Sequence, residues 1–459
     1  MFRFMVLALS LFLLPMLAFP QSWSGSYERV FSFTHPDDGM TWELRLTGVR
    51  AGDGRALQFI ERVFDWAGNR PCRELVSSFV GDRRCVYTSV DGGLTWGLVR
   101  TFDWRVSDCV TLSSGTRLVR MGEPLRWWRL SGGWDGEVRL CGGDAPRYGK
   151  GTSQGAGEMC GVVMMSEYNS DDEVEARVCR SLDDGATWEV VFRWPAWSSG
   201  ALGVPYGERI RHFHMVQPDP FRAGHWYLFS GDQPLHCRVW LTRDDGATWE
   251  EVTDPAPRCP DGGIEPELQS VHRATGVLFR GDALVWATDD WMHRDGAMLV
   301  EAERPGLAGE RLRVRGVAKG PLNLVRTIVD VGGAGYVVLP ENNGVDIWPW
   351  GRPGVEIGLF TRGGRYVQVG LLEEGLGGFT YSANGWSSVD GVWFTRISVD
   401  TVEAGGDYRL GRWELRRVDD LAEVPIGGMA WWLGLVFVVA GLGFWVLSRR
   451  AGGPRFQIR

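Results

Sequence analysis

The stretch Ser181-Leu182-Asp183-Asp184-Gly185-Ala186-Thr187-Trp188 decides the fold. Aspartate accepts hydrogen bonds from the backbone of its own turn, and glycine supplies the positive φ that a tight turn requires. Thr187 opens a return strand, and the Trp188 ring covers the hairpin with apolar area that anchors it on the sheet below. Strand-like runs flank the turn, Ala176-Arg177-Val178-Cys179-Arg180 before it and Trp188-Glu189-Val190-Val191-Phe192 after it. The unit therefore predicts two antiparallel strands joined by a hairpin.

The pattern S/T-x-D-x-G-x-T-W recurs. Thr242 to Trp249 repeats it, Ser89 followed by Asp91-Gly92-Gly93-Leu94-Thr95-Trp96 repeats it, and Asp37-Asp38-Gly39-Met40-Thr41-Trp42 is a degenerate copy with His35 where Ser or Thr would stand. Asp37, Asp91, Asp183 and Asp244, with Trp42, Trp96, Trp188 and Trp249, are thus assigned to hairpin mechanics and not to catalysis. Around the third copy a whole repeat can be followed. His212 to Val216, Trp226 to Ser230, Arg238 to Leu241 and Trp249 to Val252 read as four antiparallel strands, the make-up of a propeller blade. Box aspartates lie 54, 92 and 61 residues apart, so one interval hides a blade without the motif. Blades of roughly 50 to 60 residues give about six to eight units. The reading is an all-β, multi-bladed β-propeller, six or seven blades being favoured, with degenerate blades after Trp249 around Ala283 to Ala287 and Gly335 to Leu339. A parallel β-helix, whose coils are short and regular, does not fit such wide spacing.

These boxes resemble the BNR repeats shared by sialidases and many other secreted propellers. A closer likeness is to a BNR-repeat group of undefined function, carried here by Ser166-Glu167-Tyr168, Arg211-His212-Phe213-His214, Asp219-Pro220, Gly231-Asp232 and Trp286-Ala287-Thr288-Asp289-Asp290. The resemblance implies a propeller and not a reaction. A sialidase would show a Phe/Tyr-Arg-Ile-Pro stretch near its start, and Gln21 to Asp82 has none. No sialidase catalytic residue is carried over.

The ends of the chain bear on location. Phe4 to Phe19 is apolar apart from Ser10 and Pro15 and reads as a signal-peptide core, residues 1–20, with retention as an anchor left open. Gly427 to Leu447 carries no charged residue, and Arg449, Arg450, Arg455 and Arg459 follow it. Residues 425–448 are accordingly expected to form a transmembrane helix and 449–459 a basic cytoplasmic tail, leaving the propeller at 21–424 outside the cell membrane, with the N-terminus outside. A net charge of −8 argues against nucleic acid, whose phosphates need a basic face. Eight cysteines, all in the exported region, predict disulfides. Neighbouring pairs are expected, Cys72 with Cys85, Cys109 with Cys141, Cys160 with Cys179 and Cys237 with Cys259. No C-x-x-C pair suggests a metal, and neither metal nor cofactor is assigned.

The candidate ligand-binding residues are Glu167, Arg211, His212, His214, Asp232, Asp289 and Asp290. In a strand His212 and His214 share a face about 7 Å apart, close enough to share a ligand or metal; hydrogen-bonded packing is the competing account. The four acids stand at predicted strand ends, where two carboxylates at a cleft could hydrolyse a glycoside or merely cap turns. Trp127-Trp128 and Trp348-Pro349-Trp350 could stack on sugars, though tryptophan also fills space between blades. The expectation is a membrane-tethered recognition or scaffold module with a glycan or protein partner at the channel mouth; catalysis is disfavoured but left open, and no catalytic residue is assigned. A sialidase-like hydrolase and an assembly factor for a membrane complex are the alternatives.

Overall fold

A computed structural model describes residues 28–48, 57–61, 75–79, 84–89, 95–104, 106–121, 126–131, 134–139, 156–168, 174–232, 235–257, 270–288, 298–320, 325–340, 355–372, 381–382, 392–398 and 408–418. Apart from short 3-10 turns their regular structure is β, in seven antiparallel sheets. Six of these are four-stranded meanders in chain order: sheet I within 57–101, II within 106–138, III within 156–195, IV within 212–251, V within 278–319 and VI within 325–372. Sheet VII combines both ends of the described chain. Tyr381–Ser382, Val392–Ser398 and Tyr408–Arg417 are completed by Thr41–Gly48 and Glu28–Thr34.

Apolar residues on facing strands tie each sheet to the next. Val86 and Val119 belong to one buried cluster spanning I and II, Leu118 and Met165 to one spanning II and III, and Met164 and Trp240 to one spanning III and IV. Phe229 packs edge-on against Trp286 between IV and V, Leu299 and Phe360 share the cluster spanning V and VI, and Val337 and Trp413 the one spanning VI and VII. The strand Tyr408–Arg417 then touches Leu57–Glu61 of sheet I, so the succession closes on itself. First strands also meet first strands, as Ala156–Met159 does His212–Pro218. Small meanders joined in this way form a propeller-type fold. Each fully buried Leu or Phe in these seams contributes about 1.5–3 kcal/mol by leaving water.

Within sheets III and IV the boxes work as hairpins. Thr187 donates its N–H to Asp183 Oδ1 at 2.8 Å and its hydroxyl to Oδ2 at 2.6 Å, while Gly185 N–H reaches Ser181 Oγ at 2.8 Å. Thr248, Asp244, Gly246 and Thr242 repeat the set at the same distances. Two successive residues take positive φ, Asp184 at 61° with Gly185 at 79°, and Asp245 at 53° with Gly246 at 88°; the sequence had suggested only the glycine. Each box also locks onto its neighbourhood. Arg129 of sheet II donates to Asp184 O at 2.8 Å, and Arg180 of sheet III to Asp245 O at 2.6 Å. Trp249 packs on the seam between III and IV. In the first copy His35 Nδ1 accepts the Asp37 N–H at 3.3 Å, as the hydroxyl does in the intact boxes, and its Nε2 binds Ala334 O at 2.8 Å. Asp37 turns to Arg365 at 2.9 Å. Asp91 lies outside the described residues, as do the segments 1–20, 425–448 and 449–459. Among the described residues no helix is long and apolar enough to cross a membrane.

Three of the expected cysteine pairs are not formed. Cys85, Cys160 and Cys237 stand outside any disulfide, and Cys179 is disulfide-bonded but not to Cys160. Cys160 occupies the turn between the first two strands of sheet III, exposed and at φ 53°, whereas Cys179 is fully buried in the third strand. Trp127 is buried between sheets II and III, and Trp128 packs between I and II, which makes both of them filler. Trp348 and Trp350 lie outside the described residues.

Candidate functional site

The strand directions divide each sheet into two ends. In a four-stranded meander the start of strand one and the end of strand two share an end, while the turn between strands three and four lies at the other. His212 begins the first strand of sheet IV, and Asp232 follows the last residue of its second, Gly231. The box at 242–249 joins the third and fourth strands. The candidate cluster and the boxes therefore occupy opposite ends.

At the strand-start end Asp232 is a hub. His212 Nε2 lies 2.9 Å and Arg211 Nη1 3.0 Å from its Oδ2, and His214 Nε2 lies 3.1 Å and Arg273 Nη2 2.9 Å from its Oδ1. A second Arg273 nitrogen donates to the Asp232 carbonyl at 3.2 Å. His212 Nε2 is near its oxygen but poorly aligned for a hydrogen bond. The other nitrogen of His214 faces Ala274 O at 3.0 Å, which fixes that ring in the core. Gly231 is obligatory here, because a Cβ at this position would stand 2.4 Å from His214 Cε1. Asp232 itself adopts φ 86°, a conformation that costs a non-glycine residue about 1–3 kcal/mol and is held only where its surroundings over-determine it.

Electrostatics follows from this geometry. Burial raises the Asp232 pKa, but the His212 and His214 rings against its two oxygens outweigh it and hold the carboxyl well below the usual range. Burial depresses the His212 pKa to about 4 despite Asp232 beside it, so the ring is neutral at physiological pH. Sheet III contributes the equivalent corner. Glu167 follows its second strand and is gripped by both ends of the Arg177 guanidinium at 2.8 Å. The next residue, Tyr168, stacks on His212 with centroids 3.7 Å apart.

Five of the seven expected residues, Glu167, Arg211, His212, His214 and Asp232, thus come together across the seam between sheets III and IV. Asp289 and Asp290 lie outside the described residues. Thr288, just before them, is buried and donates no carboxylate. Sequence reasoning missed Arg177 and Arg273. Arg177 could have been found as the residue opposite the strand-end Glu167; Arg273 comes from the segment leading into sheet V and carried no local signal.

His212, His214 and Asp232 are close enough in space to share a cation, their nearest donor atoms lying within 4.8 Å. The two guanidinium groups on the same carboxylate oppose it, since a metal there would stand beside two like charges. The arrangement is a charge-assisted hydrogen-bond hub. It also leaves little for hydrolysis, because both described strand-end acids are engaged by arginine. Of the hub, Arg211 is the member that reaches solvent, its side chain 37% exposed against 1–10% for the others. A cleft of about 480 Å³, lined by Arg100, Phe102, Arg117 and Asp135, opens elsewhere, between sheets I and II.

No family model matches the chain, and no curated protein matches it in sequence. Solved structures do. A catalytically inactive virginiamycin B lyase from Staphylococcus aureus, with quinupristin, is 12% identical, covers 85% of this chain and 99% of its own, and gives a TM-score of 0.44. Trypanosoma rangeli sialidase is 13% identical over 89% of this chain and 62% of its own, with a TM-score of 0.33. A putative oxidoreductase (glucose dehydrogenase) from Thermus thermophilus is 14% identical over 68% and 99%, with a TM-score of 0.37.

Proposed function

We propose that this chain is a membrane-tethered, extracytoplasmic recognition or scaffold module, a seven-bladed propeller of the BNR-repeat kind if each sheet is counted as a blade. Its ligand meets the strand-start end around Arg211 and Tyr168. The observation that carries the reading is the state of Asp232. A carboxylate tied to two arginines and two histidines holds a binding surface rigid and is a poor acid or base. The charge that the hub presents to solvent is the Arg211 guanidinium. An acidic group on a glycan or a protein complements it.

A sialidase-like hydrolase is the competing reading, and it draws support from the box motif alone. The two are separated by presenting full-length protein in nanodiscs to a glycan array and to a panel of sialosides. Binding that Arg211→Ala abolishes, without turnover, supports the recognition module. Turnover of any sialoside replaces it with the hydrolase.

A further inference from the structure

Toward the box end the seams between sheets are closed by the connection that joins strands three and four. Between III and IV this is the box of sheet IV. The Trp249 ring lies 5.4 Å from that of Phe192, and both pack with Val178, Val191 and Trp194 on the seam. Gly246 comes so near Val191 that a Cβ there would stand 3.3 Å from its Cγ2. The Trp226 indole N–H donates to the Asp245 carboxylate at 2.9 Å. The box thus puts a planar ring and a carboxylate into the seam. Between IV and V the longer connection 304–312 takes over, Pro305 O and Leu307 O accepting from Arg222 and Arg243 of sheet IV.

Sheet II has neither device. Ser131 pairs with Trp134 across only two residues, and the cleft of about 480 Å³ opens between sheets I and II. Gly115 and Ser131 in its lining place it toward the box end, away from the hub. Its sheet I wall is Val86, Val99, Arg100 and Phe102. Val86 pairs with Arg100 as Val178 pairs with Phe192, each beside a bulge, and Arg100 and Phe192 both stand four residues after a box tryptophan, Trp96 or Trp188. The four residues of this wall are therefore the counterparts of Val178, Val191, Phe192 and Trp194, and the cleft is the seat that a box fills between III and IV.

The other wall completes the match. Arg117 opens the second strand of sheet II as Trp226 opens that of sheet IV, so a guanidinium faces the place where the indole N–H holds the Asp245 carboxylate. Arg100 replaces the ring on which Trp249 packs, and it lies 5.3 Å from the Phe102 ring centre. Asp135, the one acid among the described lining residues, is paired with Arg100 across the rim, so an incoming anion falls to Arg117. Arginine stacks on ring faces and forks onto carboxylates, and the volume is that of a small-molecule site.

We propose that this cleft binds a small aromatic carboxylate, its ring in the seat of a box tryptophan against Val99, Arg100 and Phe102 and its carboxylate on Arg117. The test is equilibrium dialysis of the full-length protein in nanodiscs against radiolabelled indole-3-acetate, with indole and acetate as competitors. Indole-3-acetate is expected to bind saturably and indole about tenfold more weakly, the scale of one charge-assisted contact. Arg117→Ala should erase that preference and leave indole bound as before. Val99→Trp, which puts a ring into the seat from an outer strand, should abolish binding of both while melting no lower than the wild type. Leu98→Asp, on the same strand but outside the lining, should change nothing.

Absence of saturable binding to the wild type overturns the proposal, and so does binding that Val99→Trp leaves intact or that Leu98→Asp removes. A preference for indole-3-acetate over indole that survives Arg117→Ala overturns the carboxylate seat. Should Val99→Trp melt lower than the wild type, Val99→Phe and Arg117→Ala decide on the same terms.

Discussion

Asp232 and Asp244 lie twelve residues apart at opposite ends of the same sheet, and both are aspartates with carboxyl pKa values held below the ordinary range. The means differ. At Asp244 burial raises the pKa and is outweighed by the Thr248 hydroxyl, the Thr248 N–H and the Thr242 hydroxyl, all within four residues. At Asp232 the opposing groups come from Arg211, His212, His214 and Arg273, 18 to 41 residues away in sequence. One aspartate builds a turn out of its neighbours. The other gathers three segments of chain into a surface.

The strongest way to break this comparison is Asp232→Ala. It strands two buried imidazoles and Arg273, and it should destabilise the protein by about 3–5 kcal/mol, the usual penalty for leaving a buried charge without its partner; denaturant unfolding would show it, and ligand binding should vanish. If Asp232→Ala unfolds no more easily than the wild type, the hub is not holding these segments. Gly231→Ala attacks the same corner without touching charge. Its methyl group collides with His214, and a loss of about 1–3 kcal/mol is expected from overpacking, with His214 displaced in the NMR spectrum.

Acid should separate the two ends as well. His212 has its pKa lowered to about 4 in the fold against about 6.5 in an unfolded chain. The unfolded state therefore binds the proton first. Stability is fully present above pH ~6.5 and falls as pH drops from there toward about 4, and Asp232, whose pKa is depressed, extends the loss below pH ~4. Melting temperatures measured from pH 8 to 4 should decline, and His212→Gln should flatten the part between about 6.5 and 4. Asp244→Ala should cost only about 1–2 kcal/mol, as loss of a local cap does, and leave ligand binding intact. The smallest effect expected is that of His35→Ser. It restores the box hydroxyl but removes the bond to Ala334 O, so thermal stability should move by less than about 1 kcal/mol.

The same contrast explains what could be read in advance. Box hairpins are legible because Ser181, Asp183, Gly185, Thr187 and Trp188 satisfy one another inside eight residues, and the repeat of four strands around the third box follows from period-two alternation. The sheets after Trp249 were legible for the second reason alone. At the site, alternation placed His212 and His214 on one face, and strand ends singled out Glu167 and Asp232. What held them could not be read. Arg273 reaches Asp232 from another segment, and Tyr168 meets His212 only because two sheets pack. The cysteines misled for a related cause: nearness in sequence took no account of the turn that leaves Cys160 exposed while Cys179 is buried.

The sheet that closes the ring has a consequence in time. Its pairs, such as Leu46 with Trp413, join residues more than 360 positions apart. Thr41–Gly48 is made early and has no companion for its inner edge until nearly the whole chain has followed. Contacts of such separation are slow to form, and an unpaired strand edge invites other chains in the meantime. The first box hairpin, with its own turn and its own short pair of strands, gives the waiting segment a structure to wait in.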